Sequence, residues 1–340
     1  MDEFLGRLNG MGRKFLFAAV ASAIALPSLA GIEPAEREKT IKAGLKIVAG
    51  VDAKAAALGS KLDQSKNPEY QDAELVIAVN SRSLLRRLDD GFQTVHVTGT
   101  SGGDSDPEKR LKIESALSGL KLTEKFSKGE GAHVMPKYAY VIFPSSKNDN
   151  GYFGYYGDLF IVLKPGVKKR ATWTPSDSFD LEEEIDKGVG ISGLVKKGLL
   201  GTFTHGAQKI PKLNGRYFEA QIWGPVDAAS IAEIVFPREY APPHAMRPHM
   251  KRIFEKINQL GIPISIYDQF HAAYEAPPQL EPYLKRKKLK AGEYPTEIKV
   301  LTHEEERARM LKTVDFDIGE KPNLEEAAAL EQSHVLPYLK

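Results

Sequence analysis

Tyr217, Glu219 and Gln221 alternate with Phe218, Ala220 and Ile222 in the stretch Arg216 to Val226. Side chains two apart on a strand share a face, so a carboxylate and an amide project side by side over a buried apolar face. A carboxylate held in that way can move a proton or steady a developing positive charge. Gly224-Pro225 ends the strand and Asp227 caps a short helix, which brings the polar pair close to a strand end, where sites tend to form. An exposed edge strand with its polar residues facing water accounts for the same alternation.

Other residues of chemical interest lie on both sides of this stretch. Gly99-Thr-Ser-Gly-Gly103 follows a predicted strand, Phe92 to Thr98, and offers hydroxyls and backbone N–H groups to a phosphate or ribose, or is simply a turn. Asp106-Pro107 opens a helix that carries Arg110 and Glu114 one turn apart, a surface ion pair or, near that loop, a clamp. Arg170, Thr172 and Thr174 alternate, placing a cation and two hydroxyls on one strand face. Asp177-Ser178 either orients that cation or caps the acidic helix Leu181 to Lys187. Tyr152, Phe153, Tyr155 and Tyr156 line a pocket or pack a hairpin. His244 and His249 sit five apart among prolines, a poor metal spacing, and read as loop histidines.

The elements that must position these groups are legible as alternating short strands and helices. Strands are predicted at Leu75 to Val79, Lys137 to Phe143, Leu159 to Leu163, Glu233 to Phe236 and Pro263 to Tyr267. Helices are predicted at Pro34 to Leu62, at Arg82 to Asp89 with Ser81 as cap and Gly91 as stop, and at Pro248 to Leu260. Gly188 to Gly215, rich in glycine and lysine, reads as a mobile loop or lid over the sheet. The fold class expected is α+β, with a mixed, mostly antiparallel sheet core, flanking helices and a helical C-terminal extension.

The chain has 340 residues, a formal net charge of +2 with interleaved signs, and no cysteine. That charge pattern gives no reason to expect nucleic acid as a partner. Without cysteine there are no disulfides, no thiol nucleophile and no lipid-modified cysteine. Arg13-Lys14, the apolar run Phe15 to Leu26 and Pro27-Ser-Leu-Ala30 read as a signal peptide, with Gly31 as the mature start and Met11 as an alternative initiator. The expectation is an exported chain, periplasmic or secreted, with no integral membrane segment once the signal is removed. The division expected is 1–30 signal, 31–74 helical segment, 75–275 core and 276–340 C-terminal extension. Zinc-protease, phosphate-loop, serine-elbow and paired-cysteine signatures do not occur.

Gly99-Thr-Ser-Gly-Gly103, Arg110 with Glu114, Pro136-Lys-Tyr138, Tyr156-Gly-Asp158, Leu163-Lys-Pro165, Arg170-Ala-Thr172, Asp177-Ser178 and Phe218-Glu-Ala-Gln-Ile-Trp-Gly224 together resemble a bacterial family of unknown function. That family is loosely associated with the ADP-ribosyltransferase toxin fold. The resemblance covers Leu75 to Tyr267, and Glu-Ala-Gln-Ile-Trp-Gly is its most specific part. It implies an ADP-ribosyltransferase-like core with NAD as substrate and a protein acceptor or water. Arg82 or Arg86, or Arg170, would then hold phosphate, Thr98, Thr100 and Ser101 would hold the ribose, and Tyr156 would belong to the cofactor site. Glu219 would stabilise the cationic centre, Gln221 would position the acceptor, and Asp177 completes the catalytic set. The sequence departs from the transferase pattern, whose glutamate usually lies two positions after another Glu or Gln; here position 221 is Gln. Two other functions fit the same residues. One is a non-catalytic periplasmic binding protein with Glu219, Arg170 and Asp177 as a structural network. The other is a cell-envelope glycan hydrolase with Glu219 and Asp177 as its carboxylate pair.

Overall fold

The computed structural model describes residues 32–59, 71–98, 106–144, 157–204, 217–272, 280–290 and 296–309. The signal segment, the Gly99 to Gly103 loop, Tyr152 to Tyr156, His205 and residues 310–340 lie outside these.

The described helices include α1 (Pro34–Ala57), α2 (Ser81–Asp90), α3 (Pro107–Ser118), α4 (Ile191–Lys197), α5 (Met250–Gln259) and α6 (Leu280–Leu284), with further short helices and helical turns between them. The strands are β1 (Glu74–Val79), β2 (Lys137–Ile142), β3 (Leu159–Leu163), β4 (Ala171–Thr174), β5 (Gly201–Thr202), β6 (Glu219–Ile222), β7 (Ile231–Ala241), β8 (Ile264–Ala272), β9 (Lys287–Lys288) and β10 (Lys299–Val300). Among the described residues they form one ten-stranded sheet in the order β5-β4-β6-β2-β1-β3-β7-β8-β9, with β10 paired to β7. Pairing is antiparallel except for β7 with β8 and β7 with β10. The parallel pair is reached through α5, the crossover that parallel neighbours require. The architecture is thus α+β, a mostly antiparallel open sheet with flanking helices.

Register explains which side chains share a face. Thr172 lies opposite Gln221, which lies opposite Tyr138; Thr174 lies opposite Glu219, which lies opposite Tyr140, and Tyr140 lies opposite Val76. Directly opposed residues point the same way, so these seven line one face. The intervening Leu75, Ile77, Val141, Ile161, Trp173, Phe218, Ala220 and Ile222 belong to the main apolar core on the other face. That core also takes Leu84 and Leu88 of α2, and Met250, Ile253, Phe254 and Ile257 of α5. β6 is an interior strand between β4 and β2, and all four of its residues are buried. The exposed-edge reading of this stretch is therefore overturned, because β6 is paired on both sides and Gln221 is fully buried among Thr172, Thr174 and Glu219.

Three further expectations are corrected. Phe92 to Thr98 is not a strand: the Phe92 N–H donates to Val226 O at 2.8 Å, and Val95–Thr98 is a helical turn that buries His96. Asn80, not Ser81, caps α2, accepting from Arg82 N at 2.8 Å, while the Ser81 N–H and hydroxyl donate to Asp158 at 2.7 and 2.9 Å. The described part of Gly188 to Gly215 contains α4 and β5, and Leu194, Val195 and Leu200 are buried with Trp223 in a second core. The lysines and glycines of that segment obscured a short apolar stripe that needs a neighbouring helix to cover it.

That neighbour is α1, whose Ile47, Val48, Val51 and Ala55 enter the same core. Arg37 pairs with Asp227, and the Thr202 hydroxyl bonds Asp52 at 2.5 Å, so both halves of the helix are tied to the sheet region. Gly44 lies so close that a Cβ there would sit 2.4 Å from Trp223 O. Gly44→Ala should therefore destabilise the fold by about 1–3 kcal/mol, the range for forcing atoms into a packed contact. An unchanged Tm would mean that α1 does not rest on Trp223.

Residues 280–309 join the same sheet through β9 and β10. Arg286 donates to Glu74 at 2.7 Å and to Glu233 at 2.7 and 2.9 Å, and its guanidinium lies 4.5 Å from the ring of Tyr283, which is fully buried. Arg286→Met leaves two carboxylates facing each other. We expect a loss of about 2 kcal/mol, a buried-pair value reduced for partial exposure, measured by urea denaturation.

Candidate functional site

A cleft of about 540 Å³ runs along β1, β2 and β6. The sheet contributes Tyr138, Tyr140 and Glu219; α2 and the segment after it contribute Arg86, Arg87 and Phe92; α3 and the turn at Ser178–Leu181 contribute Lys109, Arg110 and Phe179, with Asp177 and Tyr217 beside them. Cationic and acidic side chains therefore meet in one cavity with aromatic walls.

Glu219 is 5% exposed, and its two oxygens are treated differently. Oε1 accepts from Ser178 N at 3.2 Å and from Gln221 Nε2 at 3.0 Å. Among the described residues no donor reaches Oε2, the oxygen left to the cleft. Burial, and next the charge of Asp177, raise this carboxyl from its ordinary 4.5 to about 7, against the opposing pull of Ser178, Arg110 and Gln221. A group so tuned can serve as either acid or base near neutrality. Asp177 accepts from Phe179 N at 2.9 Å through Oδ1 and from Tyr217 OH at 3.0 Å through Oδ2. It therefore caps the turn and also lines the cleft.

Gln221 is fully buried and does not line the cleft. Its amide donates to Thr174 Oγ1 at 3.1 Å and to Glu219, and its carbonyl accepts from Thr172 Oγ1 at 2.9 Å. Outside the cleft, Gln221 is not placed to position an acceptor; its amide instead holds Oε1 of Glu219.

Arg110 and Glu114 do not form a surface pair. Glu114 is fully buried and binds His96 Nε2 at 2.7 Å, while the Tyr138 hydroxyl donates to it at 2.5 Å. The Arg110 guanidinium lies between two rings, 3.8 Å from the centroid of Phe179 and 4.5 Å from that of Tyr138. Burial works against its charge, but Tyr138, Glu219 and Glu114 outweigh that and raise its pKa. Lys137 also lines the cleft, with its Nζ donating to His133 O at 3.0 Å and Met135 O at 2.9 Å. Burial, then Arg170, lower this ammonium to about 7 against the pull of Glu114.

The remaining sequence candidates divide. Thr98 lines the cleft. Arg82 is exposed and outside the lining, whereas Arg86 on the next turn is within it. Arg170 is buried, donating to Trp223 O at 2.8 Å and to Pro225 O; burial lowers its pKa to about 10. It holds the turn after β6 and does not line the cleft. Thr100, Ser101 and Tyr156 lie outside the described residues. Sequence reasoning missed His96, Phe179, Lys137 and Arg87. Of these, only Lys137 carried a signal, as a cation opening an apolar strand.

The described residues define an α+β protein with one mostly antiparallel open sheet and an ionisable cleft on that sheet. No protein-family model matches the chain, and no curated protein matches it. No described helix is long and apolar enough to cross a membrane.

Proposed function

We propose that this chain is an exported enzyme that cleaves the nicotinamide–ribose bond of NAD and passes ADP-ribose to a protein acceptor or to water. The observation that carries this reading is Glu219 in its cleft: one oxygen is locked by Ser178 and Gln221, and the other is left facing a cavity with arginines on separate elements. When the C1′–N bond breaks, its electron pair leaves with nicotinamide and positive charge gathers on the ribose. A carboxylate beside that carbon lowers the barrier, the requirement that glycoside cleavage also has. The acceptor then bonds to C1′ and loses its proton.

The test is calorimetric titration of NAD into the purified chain, followed by an assay for released nicotinamide in wild type and Glu219→Gln. Binding with release that the variant lacks supports the enzyme. Absence of binding at millimolar NAD removes it. The second reading is a binding protein in which Glu219 is structural, and it draws on the bonds that tie Oε1 to both Ser178 and Gln221. It predicts a folding defect in Glu219→Gln in place of lost turnover.

A further inference from the structure

We infer that Arg110 is an oxyanion seat and that the group it takes is a phosphate of a nucleotide-type ligand. The residue is 7% exposed, and among the described residues its guanidinium forms no ion pair with a carboxylate; the Tyr138 side chain and the nearby Glu219 and Glu114 favour its charge. Its Nε is enclosed without a partner. Tyr138 and Phe179 cover both flat faces, so the Nη edge is the part left to meet a ligand in the cleft. An in-plane edge with two donors matches a carboxylate or phosphate held by two parallel bonds.

Among the described residues, three other buried or half-buried arginines are committed. Arg170 donates to two carbonyls, Arg286 to two carboxylates, and Arg247 to Glu306. The nearby acids are also engaged: Glu114 with His96 and Tyr138, and Glu219 through Oε1 with Ser178 and Gln221. Donors of a buried guanidinium that no protein carboxylate takes are open to an anionic ligand.

A multiply charged phosphate is favoured over a simple carboxylate by a second arginine of the cleft on another element. Arg87 of α2 is half-buried, stacked 4.9 Å from the ring of Phe92, and bonded only to Ser83 Oγ at 3.0 Å among the described residues. Its pKa is lowered by burial and by Arg86, with no acid to offset them. Two desolvated cations around one cavity fit a diphosphate better than a single charge. This deepens the NAD reading and rests on it only for the identity of the nucleotide; the anion seat stands without turnover.

The experiment is calorimetric titration of inorganic pyrophosphate into the full chain, with inorganic phosphate and succinate as comparison arms, repeated on Arg110→Gln and Arg110→Lys. We expect pyrophosphate to bind most tightly and Arg110→Gln to weaken it by about tenfold or more, the effect of losing a charge-assisted bidentate contact. Arg110→Lys should weaken it as well, because one ammonium replaces the fork. No binding to wild type, tighter binding of succinate, or affinity within about twofold in the Gln variant overturns the proposal. If Arg110→Gln does not fold, equal affinity in Arg110→Lys overturns it. Pyrophosphate binding that depends on Arg110 in a chain that never turns over NAD keeps the anion seat and removes the NAD reading. NAD turnover with unchanged KM in Arg110→Gln does the reverse.

Discussion

Glu219→Gln should lower nicotinamide release by roughly 10²- to 10⁴-fold, the range for removing a positioned acid–base or charge-stabilising group. The substitution keeps a carbonyl oxygen for the Ser178 N–H and for the Gln221 amide, so the cleft should stay formed. Only the charge at the second oxygen is lost. In wild type the ionised form is the active one, so activity should rise with pH through about 7. The variant should lack that rise. Stability should move the opposite way. A carboxyl raised above its unfolded value of 4.5 binds its proton more tightly in the folded state, so ionisation opposes folding. Wild-type stability is then highest below 4.5 and falls as pH climbs through about 7, by on the order of 3 kcal/mol. The Gln variant carries no such penalty. Its Tm should match wild type near pH 4 and exceed it at pH 8. A Tm that drops in the variant at every pH, with turnover unaltered, would make Glu219 structural and sink the enzyme reading.

Glu114→Ala should be the most damaging single change to stability, a loss of about 3–5 kcal/mol. The carboxylate is fully buried on α3 and is the shared partner of His96 and Tyr138. Removing it leaves an imidazole and a phenol enclosed without their acceptor, and opens a void between α3, the Val95–Thr98 turn and β2. Tyr138 is also one wall of the Arg110 sandwich, so the defect should spread into the cleft. Urea denaturation would read the change as a lower midpoint, and pyrophosphate affinity should fall with it. A midpoint within about 0.5 kcal/mol of wild type would mean that the Glu114 cluster is a solvated surface group, contrary to its burial.

How much of this was legible in the sequence differs from residue to residue. The period-two alternation at Tyr217 to Ile222 correctly gave a strand with Glu219 and Gln221 on one face, because pleating is a local property. Asp106 before Pro107, Gly91 after α2 and Asp227 before its short turn were legible for the same reason: a cap satisfies backbone groups within one turn of itself. Alternation carries no information about what lies beside a strand. That is why the edge reading of β6 and its interior position fit one pattern equally well. Arg110 and Glu114 at helical spacing look like a solvent pair until β2 and the Ser178–Leu181 turn are folded against them; each then takes a different partner from distant chain. The family resemblance gives Arg170 a phosphate, but its reach is set by the backbone turn after β6, whose carbonyls need a donor.

The sequence by itself determined the α+β character, most strand and helix positions, and the presence of Glu219 and Asp177 among the polar candidates, all consequences of period and capping within a few residues. Only the tertiary structure decided that β6 is enclosed, that Glu219 has one held and one open oxygen, and that Arg110 rather than Arg170 stands in the cleft. Those outcomes depend on desolvation and on partners far along the chain, 41 positions for Ser178 and Glu219 and 53 for Arg170 and Trp223, and such contacts are created by folding alone.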